Sequence, residues 1–209
     1  ALLLAVTWAV MSLPLRGLMR RMTPVVLSGT HPLTPDQLAT RLAVFLWSSL
    51  PDDELRSLAA SGTLLDETVL RAQVRRMLRD PRSRALAEEF GLQWLELRNF
   101  SRRVAPDPTL FPEYDAALAA DLREEAVRVV HRVFAEDRSL LELVDAPVAP
   151  LTPRLARHYG LPEPPAPGPD GWSVVTLPDR RRGGVLTTGA VLASTSYPRR
   201  TSPVLRGQW

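Results

Sequence analysis

The stretch LATRLAVFLWSSLPDDEL, residues 38–55, decides the fold class that the sequence indicates. Thr34 and Pro35 come before it and are typical of a helix N-cap and of the first helical position. At about 100° per residue, apolar side chains such as Trp47 cover most of the circumference and leave only a narrow polar strip. A helix of this kind belongs inside a helical domain. We therefore predict an α-helix over 35–49 that buries Trp47.

Capping residues followed by apolar residues at helical spacing predict six further helices. They begin near Pro51, Asp66, Asp80, Pro112, Ser139 and Thr152. A short strand is predicted over 172–177, and the segment 183–194 is open between a short helix and a turn with a strand. The predicted fold is mainly α: a multi-helix orthogonal bundle, a short Pro-rich linker and a small, truncated mixed segment.

The predicted domains follow the same signals. Residues 1–33 are expected to be the end of a preceding helical domain and a connector, and 34–160 a helical bundle domain. Residues 161–171 contain five prolines within eight positions and predict a stiff, extended linker. Residues 172–209 are expected to start a second small domain. The chain begins without Met and ends within a pattern, so we expect a fragment.

Charge is distributed unevenly along the chain. All 26 basic residues are arginine, against 23 acidic residues, which gives a formal net charge of +3. Residues 180–209 contain six arginines and no acid. Few aromatic residues are interleaved with them and no reading helix is evident, so the pattern does not indicate nucleic acid. The N-terminal apolar run is too short to span a bilayer, and we predict no transmembrane segment.

The sequence does not indicate a metal site or identify catalytic residues. The chain has no cysteine, which excludes a disulfide, a thiolate metal site and covalently attached haem within it. Its three histidines, His31, His131 and His158, lack the spacing of paired metal ligands. The adjacent glutamates at 88–89 and 124–125 point away from each other on a helix. We expect both pairs to be solvated or paired with arginine.

The best local candidate for binding is Arg181-Arg182-Gly183-Gly184. Two glycines let the backbone turn its N–H groups toward one point, and the neighbouring guanidiniums favour bidentate anions. Such a site would take phosphate, sulfate or a haem propionate. Alternatively, the arginines pair with the acidic helices. Arg206 is the further arginine included in this predicted anion site.

Several segments resemble, in order, a family of large exported bacterial proteins that is typical of planctomycetes. They read LATRLAVFLWSSLPDDEL, VLRAQVRRMLRDPRSRALAEEFGLQWLEL, PDPTLFPEYDAALAADLREEAVRVV, RSLLELVDA and LARHYGLP. Together they are similar to the family's domain of unknown function 1592. The segment RRGGVLTTGAVLASTSYPRRTSPVLRGQW is similar to the start of the next domain, domain of unknown function 1588, which has a Thr-Ser-Pro-Val-x-Arg-Gly-x-Trp signature.

This resemblance implies an exported protein of the periplasm or cell envelope that is associated with electron transfer. In that family a cytochrome c-like module often lies upstream, so haem c would be held by the upstream part and no cofactor is expected in this chain. The implied partners are the other domains of the same protein and a cytochrome or other redox partner. The implied function is a binding or docking module for that partner. An enzyme domain acting on an extracellular anionic polymer or polysaccharide and a purely structural module stay open as alternatives.

Overall fold

The computed structural model describes residues 33–164, 167–179 and 181–209. Residues 1–32, which include His31 and nearly all of the predicted preceding domain, lie outside the described residues, as do residues 165–166 of the predicted linker and Arg180. Contacts divide the chain into two compact units, Ala1–Leu78 and Arg79–Trp209. The predicted boundary at 160–172 falls inside the second unit, because the predicted domains follow local sequence signals such as the prolines and the units follow packing.

The described part of the first unit is helical. It contains α1 (Pro35–Trp47), α2 (Asp53–Ala60), a 3₁₀ turn (Thr63–Leu65) and α3 (Glu67–Arg79), whose last residue belongs to the second unit. The Thr34 hydroxyl accepts from the Gln37 N–H, and the Gln37 side chain accepts from the Thr34 N–H, which caps α1 as predicted.

Trp47 anchors the core of the first unit. Its side chain is 3% exposed, and its indole Nε1 donates to the carbonyl of Met77 at 2.9 Å, so the predicted burial is confirmed. The prediction that α1 is enclosed on nearly every side is wrong. The buried side chains form one face, and Val44 stays 53% exposed. That face consists of Ala39, Ala43, Leu46 and Trp47.

The second unit is built around one long helix. Its elements are the 3₁₀ turn Pro81–Ser83, a π-helical segment (Leu86–Gly91), α4 (Leu92–Trp94), α5 (Phe100–Arg103), α6 (Ala116–Ala135), the 3₁₀ turn Leu140–Leu143, β1 (Val148–Leu151), α7 (Pro153–His158), β2 (Ser173–Thr176), the 3₁₀ turn Val185–Thr187, α8 (Gly189–Ser194), β3 (Ser196–Tyr197), β4 (Arg200–Thr201) and α9 (Pro203–Gln208). The predicted mainly α fold is confirmed. The segment left open over 183–194 forms a 3₁₀ turn and α8.

The long helix α6 packs against most of the second unit. It contacts α5, α7, α8, β1 and the π-helical segment. Its apolar stripe is buried in full, and consists of Leu118, Leu122, Ala126, Val129 and Val133. Each such side chain contributes about 1.5–3 kcal/mol when fully buried, or less for alanine, so this one stripe is a large part of the core.

Strand pairing joins the two sides of the Pro-rich segment. β1 pairs with β2 in an antiparallel register that places Val148 opposite Thr176 and Leu151 opposite Ser173. β3 and β4 form a second short antiparallel pair. Residues after the predicted linker therefore share a core with the helices before it, since Val185, Ala190 and Val191 are buried in the same apolar cluster as α6.

Candidate functional site: an arginine groove over a buried glutamate

A groove of about 770 Å³ opens on the second unit. Its volume lies within the usual range for ligand pockets, roughly 300–1,000 Å³. Residues from α5, α6, α7, α8, β3, β4 and α9 line it, together with the loop that follows α5. We call it the arginine groove, because four arginines contribute to its wall: Arg103, Arg182, Arg200 and Arg206.

These four guanidiniums are not neutralised by carboxylates. Within the part of the chain that the structure describes, no ion pair joins any of them to an aspartate or glutamate. Two glutamates, Glu96 and Glu113, also line the groove. Four positive charges therefore face two negative ones, which leaves the wall net positive and suited to anions.

Two of the guanidiniums are held over aromatic rings. The Arg182 Cζ lies 3.7 Å from the centroid of the Tyr159 ring, and the Arg182 Nη1 donates to the carbonyl of Thr187 at 3.1 Å. The Arg200 Cζ lies 4.8 Å from the Tyr197 ring. Cation–π contacts of this kind are worth about 0.5–2 kcal/mol and restrict side chains that would otherwise sample many rotamers.

Beneath the groove, a buried glutamate is bonded to a tyrosine that lines it. Glu125 on α6 is 4% exposed, and its Oε2 accepts from the Tyr159 hydroxyl at 2.5 Å. The same hydroxyl accepts from the Gly189 N–H at 2.9 Å, at the first residue of α8. The three groups join α6, the end of α7 and the start of α8 in one hydrogen-bonded chain.

Burial changes the protonation of both side chains in this chain. Desolvation raises the pKa of Glu125 to about 7, although the hydrogen bonds from Tyr159 and Gly189 and the charge of Arg182 oppose the rise. Burial, with the nearby Glu125, raises the pKa of Tyr159 well above its ordinary value. Tyr159 is thus a neutral donor at pH 7, and Glu125 is close to half protonated.

One hydroxyl at the groove has no hydrogen-bond partner. Tyr114, between α5 and α6, lines the groove, and its buried hydroxyl is the one buried side-chain polar atom without a partner in the described residues. Desolvation raises the pKa of Tyr114, so the phenol is protonated.

A second, small cavity of about 10 Å³ is lined in part by Arg182 and Tyr159. It is bordered by Glu125, Gly183, Gly184 and Thr187 as well. A space of that size holds a single water molecule at most. Of the two cavities, only the arginine groove has room for an organic ligand.

Comparison with protein families matches residues 33–161 to PSD4, described as a protein of unknown function (DUF1592). The match covers more than half of the chain. The chain belongs to the DUF1592 family. Neither the curated proteins nor the solved structures contain a match to it. The DUF1592 region supplies Arg103, Tyr114, Glu125 and Tyr159, and the segment after it supplies the other three groove arginines.

The structure separates the residues of the predicted anion site. Arg182 and Arg206 both line the arginine groove, on either side of α8 in the chain. The Arg181 side chain is 88% exposed and pairs with Asp179 at 2.7 Å. Of the five residues in the predicted anion site, the groove lining contains Arg182 and Arg206. A site that combines all five stays a prediction.

The two glycines are used for packing. The Gly183 N–H donates to the Thr187 Oγ1 at 2.8 Å, so this amide is already bonded. Gly184 has φ of 64°, and a Cβ built there would lie 2.4 Å from the carbonyl oxygen of Leu143. Glycine is therefore required at 184 by a left-handed backbone and a close approach to the turn that ends at Leu143.

One expectation about the glutamates is corrected. Glu124 pairs with Arg84 at 2.6 Å and with Arg128 at 2.7 Å, as expected. Glu125 is instead buried and bonded to Tyr159. Position 125 lies beside the apolar stripe of α6, next to Ala126. This placement on the helix was the one feature of the sequence that indicated an inward-facing side chain.

The described residues contain no cluster of three or more histidine, cysteine, aspartate or glutamate side chains that could hold a metal ion. None of the helices in the described ranges is long and apolar enough to cross a bilayer.

Proposed function

We propose that the second unit is a binding module that holds an anionic ligand in the arginine groove. The observation that carries this proposal is the set of four guanidiniums around a groove of about 770 Å³ with no carboxylate partner in the described chain. Keeping four like charges around one concavity costs electrostatic free energy, and an anion offsets that cost.

A matched pair of double variants tests this proposal. Arg103→Gln with Arg200→Gln removes two groove arginines, whereas Arg102→Gln with Arg199→Gln removes the residue just before each of them and the same amount of charge. Arg102 and Arg199 do not line the groove. Arg199 pairs with Asp107, but the arginine is 72% exposed and such pairs contribute little to stability.

The measurement is the thermal shift caused by citrate, octanoate and a short sulfated oligosaccharide, at constant ionic strength. A ligand that binds the native state raises the melting temperature. At least one of these anions should stabilise the wild type and the Arg102/Arg199 variant, and should stabilise the Arg103/Arg200 variant much less. Equal shifts in both variants, or no shift in the wild type, would contradict the proposal.

We further propose that this module works within an exported protein of the periplasm or cell envelope that is linked to a cytochrome c, and that it docks a redox partner. The support for this setting is the resemblance of the sequence segments over 38–55, 69–97 and 181–209 to planctomycete-type exported proteins. An anion site suits a partner that presents acidic side chains or haem propionates. An absorbance spectrum of the full-length gene product should show a Soret band that shifts on reduction; its absence would reject the setting and leave the binding proposal intact.

An enzyme that acts on an extracellular anionic polymer is the second candidate function. It is favoured by His158, Ser194 and Ser196, which line the same groove and are residue types that serve as bases and nucleophiles. Turnover of a sulfated or uronic-acid polysaccharide that His158→Ala abolishes would support it. Binding without turnover would favour the binding module, and a groove that binds nothing would leave a purely structural module.

A further inference from the structure

We infer that the ligand of the arginine groove is an amphipathic organic anion, with its carboxylate at the guanidiniums and its hydrocarbon part against the apolar wall. This inference rests on the proposed function, because it names the class of anion that the groove takes. The evidence for an amphipathic ligand comes from the side chains that lie between the arginines.

Much of the groove wall between the arginines is apolar. Phe111, from the loop after α5, lines the groove and is 39% exposed, whereas Phe100 and Leu122 line it as buried core residues with almost no free surface. Partly exposed side chains from the same loop, from α8 and from α9 extend the apolar surface. They are Val104, Leu192, Ala193 and Leu205. A hydrocarbon chain laid on this surface gains free energy in proportion to the apolar area removed from water.

The neutral polar side chains of the same wall are hydroxyls and one imidazole: Ser194, Ser196, Thr201, three tyrosines and His158. The residues that line the groove include no asparagine, glutamine or aspartate. A polysaccharide presents many hydroxyls, and each one that is desolvated without a partner weakens binding. An all-polar polyanion would satisfy the guanidiniums but would leave the partly exposed side chains of Phe111, Leu192 and Leu205 without an apolar partner.

The geometry of the arginines suits a planar anion. Arg182 and Arg200 lie over the rings of Tyr159 and Tyr197, which restricts the positions of their guanidiniums before a ligand arrives. A guanidinium in a fixed orientation binds a carboxylate through two parallel hydrogen bonds. Arg103 and Arg206 are exposed and add charge at the same groove.

Three probes of related structure separate the contributions of the charge and of the hydrocarbon chain. Octanoate has both, acetate has only the carboxylate, and octan-1-ol has only the chain. Titration calorimetry on the full chain should give octanoate an affinity at least about tenfold higher than either of the other two, because methylene burial and the charge-assisted bonds add.

Two single variants then assign each contribution. Arg200→Gln should weaken octanoate about tenfold, as expected for loss of a hydrogen bond to a charged group, and should leave octan-1-ol unchanged. Arg199, its neighbour in the chain, does not line the groove, so Arg199→Gln should change neither affinity. Leu205→Ser should weaken octanoate and octan-1-ol together and leave acetate unchanged. Circular dichroism of each variant confirms that it is folded.

The outcomes distinguish this inference from the proposed function. If citrate or the sulfated oligosaccharide binds through Arg103 and Arg200 but octanoate does not, the groove binds anions and the amphipathic ligand is rejected. If acetate binds as tightly as octanoate, the hydrocarbon contribution is rejected. Binding to phosphatidylglycerol vesicles without binding to octanoate would also overturn the inference, because it would indicate a membrane surface. If no anion binds, the proposed function fails as well.

Discussion

Arg181 and Arg182 are adjacent in the sequence, but their side chains lie in different environments. Arg181 is exposed and pairs with Asp179, two residues away. Arg182 is half-buried, stacks on Tyr159 and donates to the Thr187 carbonyl. The dipeptide and its two glycines indicated an anion site because arginine favours anions in general. Which of the two arginines reaches a cavity depends on the packing of Tyr159, which is 23 residues away in the sequence and gives no local signal.

Two of the three groove tyrosines, Tyr159 and Tyr114, should respond differently to loss of the hydroxyl. Tyr159→Phe removes the donor to Glu125 and the acceptor for Gly189. It removes two buried hydrogen bonds, one of them to a carboxyl group, and should lower the free energy of unfolding by about 3 kcal/mol. Tyr114→Phe removes a buried hydroxyl that has no partner, and should leave stability unchanged or raise it by about 1 kcal/mol. Urea denaturation at pH 7 measures both. Equal destabilisation in the two variants would show that the hydrogen-bonded chain contributes nothing.

Glu125 should make stability depend on pH. Burial raises its pKa from the ordinary value of about 4.5 to about 7, so the folded state binds this proton more tightly than the unfolded state does. Its contribution to the free energy of unfolding is complete below pH 4.5 and is lost as the pH rises through 7. A difference of this size corresponds to about 3 kcal/mol. Glu125→Gln removes the titration, so the stability difference between variant and wild type should shift by that amount between pH 4.5 and 8.

The quantity to measure is the difference in stability between wild type and Glu125→Gln. The wild-type curve alone is not enough, because two histidines also make stability depend on pH. Burial lowers the pKa of His131 and of His158, so their contributions grow as the pH rises through the same range. Subtracting the variant from the wild type cancels them. Glu124→Gln, which removes the neighbouring ion-paired glutamate, is the matched control and should not reproduce the shift. A pH-independent difference for Glu125→Gln would show that this carboxyl titrates normally.

At the scale of elements, the sequence located most helix starts well, but the helix predicted to begin near Pro112 begins at Ala116. Thr34, Asp66, Ser139 and Thr152 each accept a backbone N–H at the start of the helix or turn they were predicted to cap. These predictions succeed because a cap depends on residues within one helical turn. Local signals were weaker between 86 and 97. The structure there has a π-helical segment and a short α-helix, and Gly91 packs against Val130 of α6, which lies 39 residues later.

The N-cap of the long helix offers a test at this scale. The Asp115 carboxylate accepts from the Leu118 N–H at 2.7 Å at the start of α6. Asp115→Ala should lower the free energy of unfolding by about 1 kcal/mol, and Asp115→Asn, which keeps an acceptor, by only a few tenths. Urea denaturation separates the two. If both substitutions cost the same, the helix start is stabilised by packing and its cap contributes little.

At the scale of the whole molecule, the groove could not be predicted from the sequence. Its arginines come from α5, from the turn before Val185, from β4 and from α9. Nothing local links Arg103 to Arg206, and the strand pair β1–β2 that brings the later segment back onto the helices spans the predicted linker. The fold class was accessible because it follows from hydrophobic periodicity. The site was not, because it follows from contacts between distant segments.

The most direct test of the central claim is to map where an anion binds. The claim is that the arginine groove holds the ligand, so octanoate should be titrated into the ¹⁵N-labelled chain and amide chemical shifts followed. We predict that the largest shifts fall in residues 100–114 and 189–206, the segments that line most of the groove. Shifts concentrated instead in residues 53–79 of the first unit, or spread evenly over all the surface arginines, would contradict the account.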